Sequence, residues 1–138
     1  MRRRLLWIFV AIVIAVLAFG LREVLKARAQ KKREVAYQSA LAFYAKNLTL
    51  GMLRKDVDSY LRANHVSFSQ TCCFEFRGAF ADLVKVGEDD APWFCSDTDV
   101  YVALEFAASE PLQPLSTPAN DMDVLRKIAI ERIGSGCL

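Results

Sequence analysis

A chain of 138 residues whose first 33 read as anchor and stem has room for one globular domain of about one hundred residues, which excludes a multidomain enzyme. The net charge of +2 hides two opposite parts: residues 1–33 carry nine Lys and Arg against one Glu, and residues 34–138 carry nine against fifteen Asp and Glu. The basic flank suits anionic headgroups, while the acidic remainder excludes nucleic acid as a partner.

After Met1-Arg2-Arg3-Arg4, residues 5–21 carry no charged or amide side chain. As a helix that run is about 25 Å long against a hydrocarbon core of about 30 Å, and Val24 and Leu25 extend it. A membrane anchor over residues 5–21 is expected, with Trp7 and Phe19 near the two interfaces. Ala18-Phe19-Gly20 also offers the small residues that a signal peptidase reads, but signal-peptide apolar regions run to about 7–15 residues, and the greater length here favours retention. On a positive-inside count, Arg22, Lys26, Arg28, Lys31, Lys32 and Arg33 outnumber Arg2, Arg3 and Arg4 and would keep the domain in the cytoplasm. The compact basic start and the cysteines point the other way, so the expectation is a single-pass inner-membrane protein with residues 34–138 facing the periplasm or cell exterior.

Residues 21–46 contain no Pro or Gly and continue the helix as a stem, and Val35, Tyr37, Leu41, Tyr44 and Leu48 form a stripe that packs on the domain. Gly51 breaks that helix. Residues 52–64 read as a second one, with Met52, Val57, Tyr60 and Leu61 on one side, Asp56 and Asp58 in its early turns and Asn64 as its cap. The period then drops from about 3.6 to 2. Val66 and Phe68, then Phe74 and Phe76, then Leu83, Val84 and Val86 mark short strands, and Val100, Val102, Leu104 and Phe106 alternate with Tyr101, Ala103 and Glu105 in the clearest one. Residues 112–123 read as a loop and residues 127–133 as a closing strand. The expected fold class is α+β, a helical hairpin packed on a small antiparallel sheet.

Four cysteines, Cys72, Cys73, Cys95 and Cys137, lie in the globular part, and an even number after a membrane-targeting segment favours disulfides. A bridge between adjacent residues strains the peptide joining them, so the expected pairing joins Cys72 and Cys73, one each, to Cys95 and Cys137.

The stretch Thr49-Leu50-Gly51-Met52-Leu53-Arg54-Lys55-Asp56-Val57-Asp58-Ser59-Tyr60-Leu61 resembles the Gly-Met-(Ser/Thr)-x-x-x-Val-x-x-x-Leu segment of small envelope proteins of the SmpA/OmlA and β-lactamase-inhibitor-protein type. The resemblance implies that Gly51-Met52 introduces the second helix, that Val57 and Leu61 face the sheet, and that the domain serves protein contacts. Leu53 stands where that group has Ser or Thr, and no cysteine follows the apolar run.

No catalytic residue, metal site or cofactor is assigned. Cys72-Cys73 lacks the Cys-x-x-Cys spacing of reactive thiol pairs and reads as structural. His65, the single histidine, reads as an exposed residue at a helix end rather than a base or zinc ligand. Glu88, Asp89, Asp90, Asp97 and Asp99 flank Ala91-Pro92-Trp93-Phe94-Cys95 and predict an acidic loop without the calcium-loop pattern. Phe94 reads as core. Trp93 and these five acids are the candidate partner-binding residues. The expected function is a non-enzymatic, membrane-anchored protein-interaction module; the alternative is an envelope thiol-redox protein using Cys72 or Cys73.

Overall fold

The computed structural model describes residues 2–74, 79–107 and 119–137, with side chains for residues 12–71, 80–107 and 119–137. Its elements are α1 (Arg2–Asn47), α2 (Arg54–Ala63), β1 (Ser69–Phe74), β2 (Ala79–Asp89), β3 (Asp97–Ala107) and β4 (Val124–Ser135). The fold is α+β, as the change of period requires: two helices, then a four-stranded antiparallel sheet in the order β1-β2-β3-β4. The chain divides into two units, Met1–Val35 and Ala36–Leu138, and α2, the sheet and the core all belong to the second. Among the described residues no helix is long and apolar enough to cross a membrane, and positions 5–11 of the apolar run lie outside the described side chains.

Within the second unit both helices cover one face of the sheet. Tyr44 of α1, Leu48 just after it, and Val57 and Leu61 of α2 share a core with Val84, Val102, Leu104, Phe106 and Leu125. Tyr37, Leu41, Tyr44 and Leu48 are spaced four, three and four residues apart and so follow one seam of α1. Val35 does not join them: two residues before Tyr37 it lies about 200° around the helix, and it is exposed.

The start of α2 needs no side-chain cap, which explains a leucine at position 53. Arg54 N–H donates to the Asp123 carbonyl (2.8 Å) and Lys55 N–H to that of Asp121 (3.1 Å), so backbone of the turn before β4 satisfies the first free amides. Gly51, at φ +97°, donates to the Leu125 carbonyl (2.8 Å), Leu125 N–H donates back to Met52 (2.8 Å), and Leu53 bridges Val124. Met52 and Leu53 are therefore extended and the helix begins two residues later than expected. At its other end Asn64 caps as expected, its side-chain amide donating to the Tyr60 carbonyl (2.8 Å), and His65 takes φ 55° and is exposed.

Three strand expectations change. Val66 and Phe68 are half-buried against the core but precede β1 rather than forming a strand. β2 is long, taking in Glu88 and Asp89, and a bulge at Val86 shifts its register on β3 between Lys85 and Gly87. Asp97 and Asp99 are likewise strand residues, so the acidic loop shrinks to residues 90–96. The closing strand over 127–133 forms within β4, and Phe76 and residues 112–118 lie outside the described residues.

Candidate functional site

Two constellations stand out, one at the β2–β3 turn and one buried beneath α2. In the turn, Cys95 N–H donates to the Pro92 carbonyl (2.9 Å) and Ser96 N–H to that of Ser135 (3.0 Å), extending the pairing of β3 with β4. Cys95 is disulfide-bonded to Cys137, 42 residues away in sequence. Two glycines make room for that bridge. A Cβ on Gly134 would meet the Cys137 and Cys95 sulfurs at 3.0 and 3.3 Å, and Gly136, at φ +60°, turns the chain back against Ser96.

This bridge replaces the expected pairing, since neither Cys95 nor Cys137 is left to join Cys72 or Cys73. The physical reason is strand length. Thr71, beside Cys72, lies opposite Ala81, and from Ala81 to the far end of β2 at Asp89 the strand spans about 26 Å, whereas a disulfide joins Cα atoms less than about 7 Å apart. The side chains of Cys72 and Cys73 lie outside the described residues; their backbone is in β1, a strand and not the helix start that lowers a thiol pKa.

The bridged turn carries Trp93 and Phe94 outward. Trp93 is 90 % exposed and Phe94 41 %, the two rings meeting edge to face with centroids 5.7 Å apart. Phe94 is thus not core: the turn runs past the end of the sheet, and its ring packs on Trp93.

The acids around it divide. Lys85 Nζ pairs with Glu88 Oε1 (2.7 Å) and Asp99 Oδ1 (2.8 Å), and the Tyr101 hydroxyl donates to Asp99 Oδ2 (2.9 Å). Hydrogen bonds from Lys85 and then Tyr101 hold Asp99 below the usual carboxylate range, and Asp99 and Glu88 hold Lys85 above the usual lysine range. Asp89 Oδ2 accepts from Arg132 Nε (2.8 Å), and the Tyr37 hydroxyl donates to the Glu88 carbonyl (2.9 Å) with Asp89 Oδ1 3.2 Å away. Glu88, Asp89 and Asp99 thus hold ion pairs within the domain, while Glu88, Asp90 and Asp97 are exposed.

The second constellation was not singled out from the sequence. Arg54, 1 % exposed, ion-pairs with Asp82, which is wholly buried. The guanidinium carbon lies 4.7 Å from the centre of the Phe106 ring and 5.9 Å from that of Phe80. Asp58, one turn along α2 from Arg54, acts on the same carboxyl. Burial pushes Asp82 up, Arg54 pulls it down and Asp58 pushes it up again, leaving it at about 7. One signal could have exposed the site: Asp82 shares strand parity with Val84, so a carboxylate falls on the core side. A carboxyl titrating near neutrality is chemically able to move a proton, but this one lies under α2 with no surface open to a substrate.

Among the described residues no group of three or more His, Cys, Asp and Glu side chains is placed to hold a metal ion. No protein-family model, curated protein or solved structure matches the chain.

Proposed function

We propose that this protein is a non-enzymatic interaction module, tethered to the inner membrane through residues 5–21 with its α+β domain outside the cytoplasm, and that the Trp93–Phe94 turn is its contact surface for another protein. The observation that carries this reading is a tryptophan 90 % exposed on a turn held by a disulfide and by backbone pairing to β4. Large aromatic rings left in water are costly unless a partner covers them, and a pinned turn loses little entropy on docking. The bridge itself supports an oxidising compartment. The acids favour a protein over an anionic lipid surface, because residues 82–110 hold eight Asp and Glu and one lysine. A thiol-redox function gains no support from a Cys-Cys pair on a strand.

Placing a photo-crosslinking side chain at position 93 of the full-length protein in cells tests the reading. A discrete protein adduct is expected from position 93 and none from exposed Asn64; equal labelling from both positions, or labelling of lipid alone, overturns it. Protease added to spheroplasts should digest the domain. With the crosslinker moved to exposed Pro92, Trp93→Ala should abolish the adduct while changing stability by no more than about 0.5 kcal/mol, because so exposed a ring contributes little to folding.

A further inference from the structure

The chain enters the second unit at the end of the sheet that carries the Trp93–Phe94 turn. Tyr37 lies one residue inside that unit. Its hydroxyl donates to the Glu88 carbonyl (2.9 Å), and its ring stands so close to Gly87 that a Cβ there would lie 2.6 Å from Cε1. β2 ends at Asp89, and the turn follows from that end. What precedes Tyr37 along the chain is the basic stem, residues 22–33.

Turn and stem carry opposite charge. At the turn end of the sheet the carboxylates of Glu88, Asp89, Asp97 and Asp99 stand against Lys85 and Arg132, four negative charges to two positive. Both cations are committed, Lys85 to Glu88 and Asp99, and Arg132 to Asp89. Glu88 near the end of β2 and Asp97 at the start of β3, the strand ends that bound the turn, are exposed. The stem is the reverse: Arg22, Lys26, Arg28, Lys31, Lys32 and Arg33 stand against Glu23, which pairs with Lys26 (3.7 Å). Arg28, Lys31 and Lys32 are exposed. A tryptophan 90 % exposed on an acidic turn suits a lysine or arginine side chain in two ways. Carboxylates attract its charge, and the ring face takes the cation and covers its aliphatic chain.

We propose that the partner of the Trp93–Phe94 turn is a second copy of this chain, whose basic stem, residues 22–33, lies against the turn of the first; the inference rests on the reading of that turn as a contact surface. Copies anchored in one bilayer through residues 5–21 are oriented alike, and sixteen residues separate Leu21 from Tyr37 in each. Both therefore present stem and then turn end in the same order away from the membrane. The contact is reciprocated about a two-fold axis, each turn on the other copy's stem, so the assembly closes at two chains.

Two forms of the full-length chain made together in cells test the assignment. One carries a photo-crosslinking side chain in place of Pro92, which leaves Trp93 intact; the other carries an N-terminal epitope tag. The expected product is a tagged adduct of two chain masses, crosslinked within residues 22–33 of the tagged copy. Lys31→Glu with Lys32→Glu in the tagged copy should lower its yield about tenfold, since opposed charges become like ones. Asp97→Lys in the crosslinking copy should then restore it, an exchange that a merely altered stem would not show. An adduct mapped elsewhere in the chain, one that survives the stem change, or one that the exchange fails to restore overturns the proposal. The mapping uses an unaltered stem and so decides the matter even if the stem variant is poorly inserted. Capture of a different protein without the tagged copy overturns the second copy as partner and leaves the turn as a contact surface. No adduct of any kind overturns both.

Discussion

Arg54 and Asp82 lie 28 residues apart in the chain and meet under the same helix. Truncating one partner of a buried pair strands the other, so Arg54→Met should cost about 3–5 kcal/mol in denaturant melts. Removing both charges should not: Arg54→Met with Asp82→Leu is expected to recover most of that loss, because hydrophobic packing replaces two desolvated ions and Phe80 and Phe106 already line the space. A double variant no better than the single one would mean that the pair stabilises the fold outright. Gly87 poses a different residue-level constraint. A Cβ there would lie 2.6 Å from Cε1 of Tyr37, a buried ring whose hydroxyl is committed to the Glu88 carbonyl. Gly87→Ala should therefore destabilise by about 1–3 kcal/mol, read as a lower denaturation midpoint. Asp82 was partly legible in the sequence as a polar residue at a core-side strand position. Its pairing with Arg54 was not, since the start of α2 reads as an ordinary polar helix turn until the sheet is laid beneath it.

Between elements, the Cys95–Cys137 bridge ties the β2–β3 turn to the end of β4. Chain-entropy arguments for a separation of 42 residues give about 4 kcal/mol, so Cys95→Ser with Cys137→Ser should lower the melting midpoint markedly and release the turn. Loss of the position-93 adduct in that variant would show that contact depends on the bridge holding the turn. The long strand β3 was the most legible element, because alternation over Val100–Phe106 survives even though both of its faces are covered. β4 was harder: its apolar residues fit a helix or a strand, and eleven paired positions on β3 decide for the strand. Disulfide connectivity was illegible for the same kind of reason. Adjacency of Cys72 and Cys73 says which bridge is strained, but only the antiparallel order places Cys137 beside Cys95.

At the scale of the whole chain, charge divides where the two units meet: the segment before Glu34 is strongly basic and the remainder is acidic. Removing residues 1–33 should release the protein from membranes into the soluble fraction while shifting its melting midpoint by only a few degrees, since among the described residues the core begins at Tyr37. Persistence of the truncated chain in the membrane fraction would sink the proposed anchor. Local physics carried much of this: helical spacing from Tyr37 to Leu48 and alternation in β3 depend on nearest neighbours along the chain and can be read there. Tertiary structure alone decided which acids are spent on Lys85 and Arg132, which cysteines meet, that Phe94 faces water, and that three charged groups converge beneath α2. Those outcomes depend on which strands lie side by side and at what register, and contacts between residues far apart in the chain leave no periodic trace in it.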